Sequence, residues 1–101
     1  MNDESASLRL SAQRALLGNV PGSLRAASIQ KDGDMIRWRC VFDAGATEDD
    51  IELAQFAGTE IISDFSAPTD IDEQILTLPH PEKIEHLQHL VYHRHEHNDP
   101  T

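Results

Sequence analysis

The sequence predicts one α+β domain, a two-layer sandwich in which a mainly antiparallel sheet packs against helices in the order α-β-β-α-β-β. Three observations predict this class. The chain has 101 residues, which is near the commonest size of a single domain. An Asp-Gly pair separates two segments of alternating hydrophobicity, and a long amphipathic segment follows them. Hydrophobic residues make up only 39% of the chain, which favours a thin core between two layers.

The first element is a helix predicted over Ser7–Leu17. Its inward face is expected to carry Leu10, Leu16 and Leu17. Gly18-Asn19 follows and ends it, because glycine readily adopts the left-handed conformation found just after a helix.

A β-hairpin comes next, with strands predicted over Leu24–Lys31 and Asp34–Asp43 around an Asp32-Gly33 turn. The expected pairs across the hairpin are Lys31 with Asp34, Ile29 with Ile36, and Ala27 with Trp38. Cys40 and Phe42 continue the apolar face, and the opposite face carries Ser28, Gln30, Arg37 and Arg39. One apolar and one polar face is typical of a sheet that helices cover on one side. We expect Arg37 and Arg39 to pair with neighbouring acids; the alternative is that they line a binding surface.

The central helix is predicted over Thr47–Phe65. Thr47 can cap its first backbone N–H groups, and Asp50, three residues on, can complete a capping box. Its inward stripe is predicted to consist of Ile51, Ala54, Gly58, Ile61, Ile62 and Phe65. Phe56 falls on the other side of this helix, among Asp49, Glu52, Glu60 and Ser63. Such a ring is either an anchor for a partner or a residue packed under the loop after Pro68.

Two short strands complete the sheet, over Gln74–Leu78 and Gln88–His95, with a stiff Pro79–Glu82 turn between them. Ile84 and Leu87 then form one helical turn or pack the loop. The whole chain, residues 1–101, is expected to be one domain, with residues 1–5 and 97–101 loosely attached.

Charge is concentrated in the middle of the chain. No Lys or Arg lies between Arg39 and Lys83, whereas eleven acidic residues do. They are Asp43, Glu48, Asp49, Asp50, Glu52, Glu60, Asp64, Asp70, Asp72, Glu73 and Glu82. Because the remaining seven acids and eight bases nearly cancel, this interval accounts for the net charge of −10 of the whole chain. A field of this sign repels nucleic acid and anionic membranes and attracts cations or a basic protein. The alternative is that it serves solubility alone.

Catalytic and metal-binding patterns are weak. Six histidines lie near the end of the chain, at positions 80, 86, 89, 93, 95 and 97. His93, His95 and His97 would share one face of a strand, and His86, His89 and His93 one face of a helix, but neither set has a zinc-site spacing. The alternative is solvated side chains that titrate near neutral pH. The acidic run Glu48-Asp49-Asp50 does not indicate a catalytic or cation site, because capping and the helix dipole already account for acids at the start of a helix. Cys40 is expected in the core. No cofactor and no enzymatic activity are therefore predicted.

The cellular compartment of the protein can also be inferred from the sequence. No apolar run approaches the length of a membrane span, the first five residues lack signal-peptide features, and the single Cys40 cannot form an internal disulfide. These features favour the cytoplasm.

Several short stretches together resemble one protein family. They are Ala15–Pro21, Leu24–Ala26, the Asp32–Asp34 turn, Glu48–Glu52, Leu78-Pro79 with Pro81-Glu82, and Leu90–Tyr92. The pattern resembles small immunity proteins of bacterial contact-dependent growth inhibition systems. This resemblance implies a protein that binds and neutralises a toxin domain, often a nuclease, from a neighbouring cell.

The charge pattern is consistent with that resemblance, since a nuclease holds phosphates on a basic surface that an acidic domain can occupy. The expected partner is therefore a basic toxin domain, with no direct contact to nucleic acid or membrane. The residues expected to contact it are Asp49, Glu52, Phe56, Glu60, Asp64, Asp70, Asp72 and Glu73. Two rival functions remain: a metal- or pH-responsive regulatory domain that uses the C-terminal histidines, and an adaptor that mimics nucleic acid.

Overall fold

The computed structural model describes residues 3–66 and 69–96 as two helices and four strands. These elements are α1 (Asp3–Leu16), β1 (Leu24–Asp32), β2 (Met35–Phe42), α2 (Glu48–Ser63), β3 (Asp70–Thr77) and β4 (His89–His93). The sheet has the order β3-β2-β1-β4, in which β1 pairs antiparallel with β2 and β4, and β2 pairs parallel with β3. The predicted α+β class, element order and mainly antiparallel sheet are confirmed. Neither described helix is long and apolar enough to cross a membrane.

The first helix differs from the prediction in its start and in its buried face. It begins at Asp3 rather than Ser7. Its buried positions are Leu8, Ser11, Ala12, Ala15 and Leu16, which follow helical spacing from Leu8. Leu10 and Leu17 lie on the opposite side and are 52% and 77% exposed. The prediction that both face inward was wrong, because a helix that turns Leu8, Ala12 and Ala15 inward must turn them outward.

The hairpin has the predicted faces but a different register. Lys31 pairs with Ile36, Ile29 with Trp38, and Ala27 with Cys40. Each partner is two residues further along β2 than expected, because the turn residues are Gly33 and Asp34 rather than Asp32 and Gly33. A shift of two residues leaves every side chain on its original face. The predicted apolar side is therefore buried, with Ala27, Ile29, Ile36, Trp38, Cys40 and Phe42 all 0% exposed.

The third strand is longer than predicted. The segment from Asp70, which precedes the predicted strand, is the first half of β3, which runs from Asp70 to Thr77. It pairs with β2 in parallel because α2 carries the chain back to the starting end of that strand. Ile71 and Ile75 lie beside Ile36 and Cys40 on the helix side of the sheet, whereas the acids at positions 70 and 72 lie on its other side.

Both helices cover the same face of the sheet. Contacts place α1 over β1 and β4 and α2 over β2 and β3. Trp38 is the largest fully buried side chain, and its indole Nε1 donates to the backbone oxygen of Ala54 at 3.0 Å, which fixes α2 over β2. Cys40 lies in this core as predicted, and burial raises the pKa of its thiol well above the usual range.

A connection with little regular structure, residues 78–88 (the strap), covers the other face. Because β3 and β4 are the two edges of the sheet, the chain between them must cross it. Side chains of the sheet hold the strap: Arg39 donates to the backbone oxygen of Glu85, and Ser28 Oγ accepts from the backbone N–H of Leu87. Ile84 and Leu87 therefore pack the loop rather than forming a helical turn.

A buried ion network ties the strap to the segment after β4. An extra residue in β1 at Arg25 turns this side chain towards the strap, where it is 4% exposed. Its guanidinium binds both carboxylate oxygens of Glu96, at 2.7 and 2.9 Å, and donates to the backbone oxygens of Leu78 and Glu82. Arg94 bridges the same carboxylate to Asp43. The network therefore joins β1, the strap and the segment after β4.

Candidate protein-binding surface

The helix α2 is positioned by features that the sequence predicts. Thr47 Oγ1 accepts from the backbone N–H of Asp50 at 3.1 Å, and the Asp50 carboxylate accepts from the backbone N–H of Thr47 at 3.2 Å. The predicted capping box is confirmed. The inward face is buried at Ala54, Ala57, Gly58 and Ile61. At Gly58 the helix lies so close to the sheet that an added Cβ would collide with Glu73 Oε2 and lie 3.2 Å from Trp38 Cδ1.

The outer face of α2 carries the exposed aromatic ring. Phe56 is 58% exposed, so it is not a core residue of the described structure. A surface depression surrounds the ring and is lined by Asp49, Glu52, Leu53, Gln55, Phe56 and Thr59. The surface therefore combines an apolar centre with carboxylates at its edge, and we call it the α2 outer face.

The eleven central acids divide into two groups. Five of their side chains are held by hydrogen bonds or ion pairs, at Asp43, Asp50, Glu60, Asp64 and Asp72. The other six side chains have no such partner among the described residues: Glu48, Asp49, Glu52, Asp70, Glu73 and Glu82. Three of these six lie in the first two turns of α2, and all three are exposed. Their charge is not neutralised by the fold.

Hydrogen bonds lower the pKa of Asp43, Asp50 and Asp64. Ser23 and Thr47 hold the pKa of Asp50 below its usual value, and Ser11 and Arg14 do the same for Asp64. Arg94 lowers the pKa of Asp43 further, together with two backbone N–H groups. These acids make contacts within the domain, whereas the side chains of Asp49 and Glu52 have no partner among the described residues.

The structure brings together four of the eight residues expected to contact a partner. Asp49, Glu52, Phe56 and Glu60 share the outer side of α2 and are all exposed. Asp64 is turned towards α1, where it accepts from Ser11 Oγ at 2.6 Å and from Arg14 at 3.3 Å.

The remaining three expected contact residues lie on β3. Asp70 and Asp72 are on the sheet face away from the helices, and Asp72 pairs with Arg37 at 3.2 Å. Glu73 lies on the helix side of the strand, beside Gly58, and partial burial raises its pKa. The eight residues therefore do not form one continuous surface.

Two exposed apolar residues near this face were not identified from the sequence. Leu17, expected inward, is 77% exposed, and Val20 is 40% exposed. Asn19 lies between them and donates to Glu60 on α2. The signal that could have revealed Leu17 is the spacing of Leu8, Ala12 and Ala15, which sets the inward side of α1.

The C-terminal histidines do not form the helical grouping of His86, His89 and His93, because the described chain has no helix there. The other grouping includes a residue that the structure does not describe. β4 ends at His93, and His97 lies outside the described residues. The His86 and His93 rings meet edge to face, with centroids 5.7 Å apart. Burial, His93 and Arg39 lower the pKa of His86. Among the described residues, no group of three or more His, Cys, Asp or Glu side chains could hold a metal ion.

Comparison with known proteins identifies the family. A search of curated proteins gave no match. A family model described as MafI2 immunity protein matches residues 5–96 of the 101, which include all four strands and all of α2. This match confirms the resemblance to a toxin–immunity protein and agrees with the prediction that the chain is not an enzyme. The chain therefore belongs to the MafI2 immunity protein family, and its partner is a cognate toxin.

Proposed function

We propose that this immunity protein neutralises a nuclease toxin by laying the outer face of α2 over the toxin's basic active site or the entrance to it. The toxin is delivered by contact-dependent growth inhibition, and the complex forms in the cytoplasm, where a nuclease meets its substrate. The observation that carries this proposal is an exposed aromatic ring, Phe56, beside carboxylates that no cation of the described structure neutralises.

Electrostatics supports the choice of partner. A nuclease must hold phosphates on Lys and Arg side chains, so its substrate surface is positive. Glu48, Asp49 and Glu52 present unpaired negative charge over two turns of one helix. Complementary charge speeds encounter and favours one orientation. The net charge of −10 also disfavours binding to nucleic acid itself.

The Phe56 ring supplies binding energy that the charges alone do not. Charges at an interface mainly set the association rate and the orientation, whereas buried aromatic anchors often dominate the binding energy. Phe56 touches little of its own domain, so its apolar surface is available to a pocket on the toxin. The α2 outer face thus has both parts of a protein-binding site.

Substitution of Phe56 tests the anchor. The toxin domain encoded immediately upstream of the immunity gene would be produced, and binding would be measured by titration calorimetry. Phe56→Ala should weaken binding by about 2 kcal/mol or more, which is roughly thirtyfold in Kd. Its free energy of unfolding should change by less than about 0.5 kcal/mol, because the ring is exposed. If Phe56→Ala binds as tightly as the unaltered protein, the α2 outer face is not the docking site.

Matched charge reversals test whether the acids of the α2 outer face speed and orient association with the toxin. Asp49→Lys with Glu52→Lys alters the outer face, and Glu82→Lys with Glu85→Lys makes the same change of net charge on the strap. The first pair should slow association at least tenfold at low salt, and the second pair less than threefold. Equal effects of the two pairs would show that only net charge matters and would contradict the proposed orientation.

Substrate length separates the two forms of occlusion. If the outer face covers the active site, the immunity protein should inhibit cleavage of a dinucleotide and of a long nucleic acid alike. If it blocks only the entrance, the dinucleotide should still be cleaved. A toxin domain without nuclease activity would contradict this part of the proposal but not the docking surface.

A further inference from the structure

Exposed apolar side chains are unevenly distributed over the two layers. Among the described residues, six large hydrophobic side chains are exposed. Four lie on the helices or directly after α1: Leu10, Leu17, Val20 and Phe56. The other two, Leu76 and Leu90, lie on the sheet face that carries the strap, next to Val41 and Ser28. Clustered exposed apolar surface marks interaction sites more often than isolated exposed residues do.

A hydrogen bond brings the end of α1 to the α2 outer face. Asn19 Nδ2 donates to the backbone oxygen of Ala15 at 2.8 Å and to Glu60 Oε1 at 3.4 Å. Val20 follows Asn19 in the chain, and Phe56 precedes Glu60 by one helical turn. The positive φ of +78° at Gly18 turns the chain at this point, between Leu17 and Asn19. The exposed apolar residues at the end of α1 and Phe56 of α2 therefore flank the hydrogen bond between Asn19 and Glu60.

We infer that the toxin-binding surface spans both helices, with Leu17 and Val20 of the α1 end joining Phe56 around the Asn19–Glu60 contact. This inference rests on the proposed function and enlarges its site. The occupant is the basic toxin domain, which contributes apolar side chains to Leu17 and Val20 and cations to the unpaired acids of α2. Glu60 is already held by Asn19, so its carboxylate is positioned for such a cation before binding.

Charge on the opposite face favours this orientation. Five cationic side chains of the described structure are paired with carboxylates: Arg14, Arg25, Lys31, Arg37 and Arg94. Three cationic side chains have no carboxylate partner among the described residues. Arg9 lies on α1, whereas Arg39 and Lys83 line a depression beside Leu76 and Leu78 on the strap face. A basic partner is therefore attracted to the unpaired acids of α2 and meets two unpaired cations on the strap face.

The experiment compares two pairs of exposed hydrophobic residues. Leu17→Ala with Val20→Ala removes apolar surface from the proposed site, and Leu76→Ala with Leu90→Ala removes it from the opposite face. The first pair should raise the Kd for the toxin domain at least tenfold, and the second pair less than twofold. Unfolding in urea would be measured for both. Leu17→Gln, at a side chain 77% exposed, provides a second variant that should weaken binding without disturbing the fold.

The results separate this inference from the proposed function. If Phe56→Ala weakens binding but the Leu17 and Val20 variants do not, the interface is confined to α2 and the inference is overturned while the proposed function stands. If the Leu76 and Leu90 pair weakens binding more than the Leu17 and Val20 pair, the toxin docks on the strap face and both fail.

Discussion

Replacing Glu96 with glutamine should destabilise the domain by about 2 kcal/mol at pH 7. The Glu96 side chain is 4% exposed and accepts from Arg25 at 2.7 Å and from Arg94 at 3.0 Å. Glutamine preserves the shape but leaves the Arg25 side chain, also 4% exposed, without its counter-charge. Removal of one partner of a buried pair is among the most damaging single changes, with typical losses of about 3–5 kcal/mol.

The magnitude follows from the pKa of Glu96. Its hydrogen bond to Arg25, followed by the charges of Arg25 and Arg94, lowers this pKa from 4.5 to about 2. At about 1.4 kcal/mol per pKa unit, that difference corresponds to roughly 3 kcal/mol. Arg25 and Glu96 line a surface depression, so solvent screens part of the interaction and about 2 kcal/mol is expected.

Urea denaturation at pH 7 measures this loss. With a slope of roughly 1–1.5 kcal/mol per molar urea, the midpoint of unfolding should fall by about 1.5 M. Glu85→Gln, at an exposed strap carboxylate with no ion pair in the described structure, is the control and should leave the midpoint nearly unchanged.

The dependence on pH checks the mechanism. Since the folded pKa of Glu96 lies below the unfolded value, its stabilisation is fully present above about pH 5 and is lost as the pH falls towards 2. The stability difference between the unaltered protein and Glu96→Gln should therefore shrink over that range. A difference that stays constant from pH 7 to pH 2, or an unchanged midpoint at pH 7, would refute the electrostatic account.

Two further predictions concern α2. Thr47→Ala removes the side-chain cap that accepts from the backbone N–H of Asp50 and should lower the free energy of unfolding by about 1 kcal/mol, whereas Thr59→Ala on the exposed side should not. Gly58→Val places carbon atoms against Trp38 and Ile71 and should destabilise the domain by about 2 kcal/mol in the same urea assay, although valine favours helix more than glycine does. A Gly58→Val variant as stable as the original protein would show that α2 can move away from the sheet.

The parts of the fold that could be predicted from sequence depend on short-range patterns. Alternating hydrophobicity predicts the buried face of the hairpin, and Thr47 with Asp50 predicts the start of α2. The hairpin register could not be read in this way, because registers that differ by two residues bury the same side chains. The observed turn has a positive φ of +60° at Gly33 and none at Asp34, so only one of its two central residues needs the left-handed region.

Other features depend on contacts between distant residues. The hydrophobic pattern predicts only the second half of β3, because Asp70, Asp72 and Glu73 obscure the alternation in its first half and only Ile71 and Ile75 mark its inward side. Arg25 and Glu96 are 71 positions apart, so no local pattern reveals that they pair. Within the candidate site, Phe56 could be predicted from the helix wheel, whereas Val20 depends on the contact between Asn19 and Glu60.

The residues proposed to bind the toxin are those on which the fold depends least. Trp38, Gly58 and the Arg25–Glu96 pair are fixed by their contacts, so changes there alter stability first. Phe56 and Leu17 are more than half exposed, and Glu52 has no partner among the described residues. Substitutions at these positions should therefore alter which toxin is bound while the domain keeps its stability. If the toxin binds at these positions, variants of the outer helix surface can be compared without correction for unfolding, whereas variants of the ion network cannot.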